Sequence, residues 1–181
     1  LVRSWESRVG SQATSNDFAI HWFENRLNEV RIQLDEQFKD FRLSESLKTI
    51  YSLIWDDFCS WYLEWVKPGF EQPIDKAVYE KTVGFFEELM QLLHPLKERT
   101  DDLTVKQYAT AKTANKTILA DAVLLKEVIS SIRDARNKNQ LKPKDTIRLH
   151  ILTENNETYK SIESILLKQI NAESISYIST S

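Results

Sequence analysis

At 181 residues and a formal charge of -3, the chain is long enough to bury a core without staples, and it lacks the overall positive field of a strongly basic nucleic-acid binder. Any RNA contact must then come from local patches. Its single cysteine, Cys59, rules out an internal disulfide and suits a reducing compartment. No apolar run reaches transmembrane length and residues 1–10 carry no signal-peptide pattern, so a soluble, cytoplasmic protein without a membrane partner is expected.

Residues 1–17 show no sustained periodicity and include Gly10-Ser11-Gln12-Ala13-Thr14-Ser15-Asn16, which reads as a linker arriving from something upstream. From Phe18, the positions Ile20, Phe23, Leu27, Val30, Leu34 and Phe38 predict a first amphipathic helix. Leu47, Ile50, Tyr51, Ile54, Phe58, Trp61, Tyr62 and Trp65 recur at three- and four-residue intervals and predict a second, with Ser44 placed to cap its start and Pro68-Gly69 to stop it. Cys59 on this aromatic-rich helix reads as a small buried hydrophobe. A third helix is predicted over 75–93, buried through Val78, Thr82, Phe85, Phe86, Leu89, Leu92 and Leu93, and closed by His94-Pro95. Short connections between such helices favour an antiparallel bundle.

The stretch 103–113 has too brief a period to separate helix from strand, and both stay open. Ile118, Ala122, Leu125, Ile129, Ile132 and Arg136 define a fourth long helix, ended by the turn-forming residues of 137–145. The period then changes to two, with Ile147, Leu149 and Ile151 alternating against Arg148 and His150 as in a half-buried strand. Tyr159, Ile162, Leu166 and Ile170 predict another helix, and 174–179 a second strand. The fold class is therefore mainly α, a helical bundle followed by a small β-α-β element. Lys126, Arg133, Arg136, Lys138, Lys142, Lys144 and Arg148 face only Glu127, Asp134 and Asp145 in the same stretch, the one long segment with a clear basic excess.

Chemistry is poorly represented. No glycine-rich phosphate cradle occurs. Asp56 and Asp57 are neighbours, so on a helix they diverge and suit arginine partners better than joint work on one substrate atom. His21, His94 and His150 lack the nearby Cys or His companions of a zinc site. No catalytic and no metal residue is assigned. Helical spacing assigns Phe58 and Trp61 to the core, whereas Trp22, one turn from Arg26, fits either a core position or a platform for an unpaired base.

The run Trp55-Asp56-Asp57-Phe58-Cys59-Ser60-Trp61-Tyr62-Leu63-Glu64-Trp65-Val66-Lys67-Pro68 resembles the valyl-tRNA synthetase family, in the helical anticodon-binding domain that class Ia synthetases carry after the catalytic domain. Phe41-Arg42-Leu43-Ser44, Leu92-Leu93-His94-Pro95 and Ser131-Ile132-Arg133-Asp134-Ala135-Arg136 extend the resemblance over most of the chain. Two departures stand out. Ile20-His21-Trp22 occupies the place of the family's Asn-Arg-Trp, and the family's Met-Pro-Phe run does not follow His94-Pro95, so a gap in the chain after Pro95 is expected.

The resemblance implies an anticodon-binding bundle over 18–114, and over 115–181 a long helix with a small element that contacts the tRNA stem, its terminal coiled coil missing. It implies tRNA for valine and the catalytic domain of the same chain as partners, with no role for DNA. Amides such as Asn25 or Gln33 would read the middle adenine, Trp22 and Arg26 would flank a base, and Arg133, Arg136, Lys138, Lys142 and Lys144 would hold phosphates. ATP and magnesium would serve the parent enzyme only, since neither the His-x-Gly-His element nor the Lys-Met-Ser-Lys-Ser loop occurs here. The alternative is a helical protein-interaction scaffold whose basic stretch merely solubilises it.

Overall fold

A computed structural model of the chain describes residues 2–10, 17–69, 71–93, 112–154 and 156–178. The expected gap after Pro95, the part given to His94 and nearly all of the open stretch 103–113 lie outside these residues. The chain forms two compact units, Leu1–Ala114 and Asn115–Ser181. Both follow the expected class, helices with small parallel strand pairs.

In the first unit, the short helix α1 (Val2–Glu6) leads into β1 (Val9–Gly10), which pairs in parallel with β2 (Ile74–Asp75). Residues 2–10 are thus structured where a linker was expected, because Trp5, only 1% exposed, anchors them in the core. Helix α2 (Asp17–Lys39) buries Ala19, Trp22, Phe23, Leu27, Val30, Leu34 and Gln37. Helix α5 (Lys76–Leu93) buries Val78, Thr82, Phe85, Leu89 and Leu92, as its period predicts, while Phe86 is exposed. The Asp75 carboxylate accepts from the amides of Ala77 and Val78, satisfying two orphan donors at the start of α5.

Between α2 and α5 runs one continuous helical rod: α3 (Leu43–Ser52), a π-helical segment (Leu53–Tyr62) and α4 (Leu63–Val66). Ser44 does not cap it; the cap position is Arg42, and its side chain makes no capping bond. The rod ends where expected, since Lys67, standing before Pro68, is pushed to an extended conformation with ψ 125°. Its buried positions Ser46, Ile50, Leu53 and Asp57 step by four, three and four residues; Phe58, directly after Asp57, is buried too, and Tyr62 and Trp65 follow it at four and three. The adjacent buried pair Asp57-Phe58 lies in the wide π turn. It delays the buried face by one residue, so Leu47 and Tyr51, expected inside, stand outside at 50% and 63% exposure.

Phe23 is the hub of the first core: its ring centroid lies 5.2 Å from Phe58, 5.2 Å from Tyr62 and 5.0 Å from Phe85. Edge and tilted arrangements of this kind add to the area that each ring buries. The Tyr62 and Thr82 hydroxyls, 2.9 Å apart, join the π segment to α5 inside that core.

The second unit opens with α6 (Lys116–Lys138), whose start is capped by the Asn115 side chain accepting from the amides of Thr117 and Ile118. Strand β3 (Ile147–Leu152), helix α7 (Glu157–Ile170) and strand β4 (Ala172–Ile178) follow, the strands pairing in parallel from Ile147↔Ala172 to Leu152↔Ile178. β3 alternates half-buried and exposed residues throughout and β4 does so from Ser174 onward, so one face of the sheet rests on the helices and the other meets solvent. Ala122, Leu125 and Ile129 of α6 and Ile162, Ile165, Leu166 and Ile170 of α7 form the core beneath it.

Candidate nucleic-acid interface

On α2, the residues expected to meet RNA divide into a core pair and a surface pair. Trp22 is 2% exposed, its ring 4.6 Å from that of Trp65 and 5.9 Å from that of Phe23. This corrects its reading as a base platform: Trp65, at the far end of the rod, covers the face a base would need. The Arg26 guanidinium donates through Nε to Asp57 Oδ2 at 2.8 Å and through Nη1 to Glu29 Oε2 at 2.6 Å. Burial pulls the Arg26 pKa down, but these two carboxylates outweigh it and leave the pKa above its ordinary value. Arg26 is therefore a tie between α2 and the π segment, and Asp57 is the arginine partner that its sequence position suggested. Asn25 is half-buried and donates to the His21 carbonyl at 2.7 Å, whereas Gln33 is exposed.

The basic stretch of the second unit is reorganised around one residue. Arg136 is 7% exposed, and every partner of its guanidinium among the described residues is a backbone carbonyl: Nη1 donates to Ile170 at 3.0 Å, and Nη2 to Lys142 at 2.6 Å, Pro143 at 3.2 Å and Asp145. Both Nη nitrogens thus donate inside the protein. Asn171, in the left-handed region with φ 51°, donates from Nδ2 to the Lys144 carbonyl at 3.0 Å and to Pro143 at 3.5 Å. The Asp145 carboxylate closes the loop by accepting from the Lys142 amide at 2.8 Å. Lys138, Lys142 and Lys144 are exposed, and none of the ion pairs among the described residues involves them. Arg133 is exposed and donates to Gln169 Oε1 at 3.1 Å.

Three features escaped the sequence reading. Tyr51 and Trp55 form an exposed, nearly parallel pair, 16° between planes and 63% and 59% exposed, on the outside of the rod. Asp57 is buried at 7% beside Arg26, a depth that an acid on an apolar face could have signalled. Asn171 directly follows α7, where a residue tolerant of positive φ is the usual helix stop, and so was findable.

No group of three or more His, Cys, Asp or Glu that could hold a metal ion occurs among the described residues. The cleft between α2 and α5, about 830 Å³, is lined by Glu24, Arg31, Lys81 and Glu88, but Lys81 pairs with Glu24 at 2.6 Å and Arg31 with Glu88. Burial pushes the Cys59 thiol up, which suits a structural rather than a nucleophilic role. None of the described helices is long and apolar enough to cross a membrane.

A helical unit cored by an aromatic hub is followed along the chain by a small α/β unit with a basic loop, and comparison with known proteins says to which family this pair belongs. Residues 21–96 match the family described as anticodon-binding domain of tRNA ligase. Over nearly its whole length the chain is homologous with valine–tRNA ligases. It is 34% identical over 193 residues to that of Parabacteroides distasonis, covering 98% of this chain and 22% of the relative. The corresponding figures are 35% over 189 residues, 97% and 21% for Phocaeicola vulgatus, and 34% over 193 residues, 98% and 22% for Porphyromonas gingivalis. The chain thus spans about a fifth of the length of these relatives.

Proposed function

We propose that this chain is the tRNA-recognising part of a valine–tRNA ligase working in the cytoplasm, and that valine activation with ATP and magnesium takes place elsewhere in a longer polypeptide. The observation that carries this reading is the homology along 98% of the chain, with the anticodon-binding match seated on the aromatic-cored bundle. The chemistry agrees. In the α2–α5 cleft Lys81 is paired with Glu24 and Arg31 with Glu88, whereas the basic loop offers lysines to a polyanion. Asn25 and Gln33 on α2 are the side chains offered to the middle adenine of a valine anticodon, and Lys138, Lys142, Lys144 and Arg133 those offered to phosphates.

Filter binding of valine tRNA across a salt series tests the reading. Affinity should fall steeply as salt rises, in proportion to the phosphates contacted, and replacing the middle anticodon base should weaken it further. A second reading, a protein-interaction scaffold, is favoured by one observation: Leu43, Leu47, Tyr51 and Trp55 repeat every fourth residue on the rod and are each at least half exposed. Equal, salt-insensitive affinity for every RNA would support that reading instead.

A further inference from the structure

We propose that Arg136 is a positioning residue, which holds the 139–146 loop so that Lys142 and Lys144 face a nucleic-acid backbone. This rests on the tRNA-binding reading above. The loop's four consecutive carbonyls, those of Lys142, Pro143, Lys144 and Asp145, are each engaged from within by Arg136 or Asn171. Their negative ends therefore point inward, and the surface that remains is dominated by the two exposed lysines. Arg136 adds to this field. Carbonyls accept from both Nη nitrogens without cancelling its charge, and a cation held in a low-dielectric setting projects its potential farther than one in water. Pro143 has no amide and stiffens the loop between the two lysines.

The planar fork is essential to this arrangement, since one nitrogen of Arg136 reaches Ile170 at the end of α7 while the other spans three loop carbonyls. A lysine would keep the charge but could not reach both sets. R136K therefore separates positioning from charge.

The test uses the whole chain with valine tRNA, reading the slope of log affinity against log salt. K142A/K144A should lower the slope by about 1.4 to 1.8, the share of two phosphates. R136K should lower it by about 1, and adding K142A/K144A to R136K should cost less than it does in the unaltered chain. Hydrogen exchange at the amides of Leu141, Lys142 and Asp145 should quicken at least tenfold in R136K, with the amides of α7 and β4 unchanged. Should R136K unfold the unit, N171G offers a second route: glycine keeps the positive φ and removes only the amide that holds Lys144, and it should lower the slope in the same direction.

An unchanged slope in R136K, or in N171G where R136K unfolds, overturns the inference while leaving the tRNA reading intact. So do fully additive losses, which would mean that Arg136 meets phosphate itself. Absence of salt-dependent binding by the unaltered chain overturns both, and is recognised before any variant is made.

Discussion

Each unit ties down one arginine that the sequence offered as an RNA ligand, Arg26 half-buried and Arg136 buried, and the two are held in opposite ways. In the first unit Arg26 is met by carboxylates, so its charge is cancelled within the fold. In the second Arg136 is met by carbonyls alone, which accept from both Nη nitrogens while its charge persists. Neutralisation and satisfaction are separate requirements of a buried cation. The first makes a tie between helices, and the second makes a tie that also polarises the surface above it.

The contrast is broken most forcefully by R136M. The Ile170 and Asp145 carbonyls lose their side-chain donor, those of Lys142 and Pro143 keep only the Asp145 amide and Asn171, and the second unit should lose about 3 kcal/mol, read as faster exchange throughout β4 in mild urea. R26M should cost the first unit about 2 kcal/mol, because the buried Asp57 carboxylate loses its guanidinium partner, with some relief from partial exposure. The sharper test is R26M/D57L, which removes both charges together and should recover to within about 1 kcal/mol of the parent chain. No double variant of that kind exists for Arg136, whose partners are backbone.

Smaller effects refine the same picture. N171A should cost about 1 kcal/mol, since alanine resists a φ of 51°, and N171G less. Alkaline pH should act on the second unit through Tyr177, which burial and its bond to Glu163 push up to about 12 from 10.0. The folded pKa is the higher one, so this contribution is whole below pH 10 and is lost as pH rises toward 12. Y177F should flatten that limb of a stability-against-pH curve.

Where contacts are periodic and local, the sequence was a good guide. The α5 stripe from Val78 to Leu92 and the β3 alternation from Ile147 to Leu152 emerge nearly as read, because a regular element repeats its environment at a fixed interval. The second helix failed on that assumption. A period of 3.6 applied across the whole rod averages two phases and so draws Leu47 and Tyr51 inside. Trp22 stayed open between core and platform for another reason, since Trp65, which packs on it, arrives from the far end of the rod and leaves no trace near Trp22 in the chain. Arg136 failed because carbonyls carry no side-chain signature: the four acceptors around it come from a loop and a helix end. The exposed lysines were legible as charges but not as members of a braced loop.

The wide turn that displaces the rod's face also supplies an optical handle. Trp5, Trp22 and Trp65 are sealed at 2% exposure or less, whereas Trp55 stands 59% open against Tyr51. A soluble quencher such as iodide should reach that indole and leave those three dark to it. Loss of the quenchable emission on adding RNA, or on adding a protein instead, would report without any label which kind of molecule comes to rest against this side of the rod.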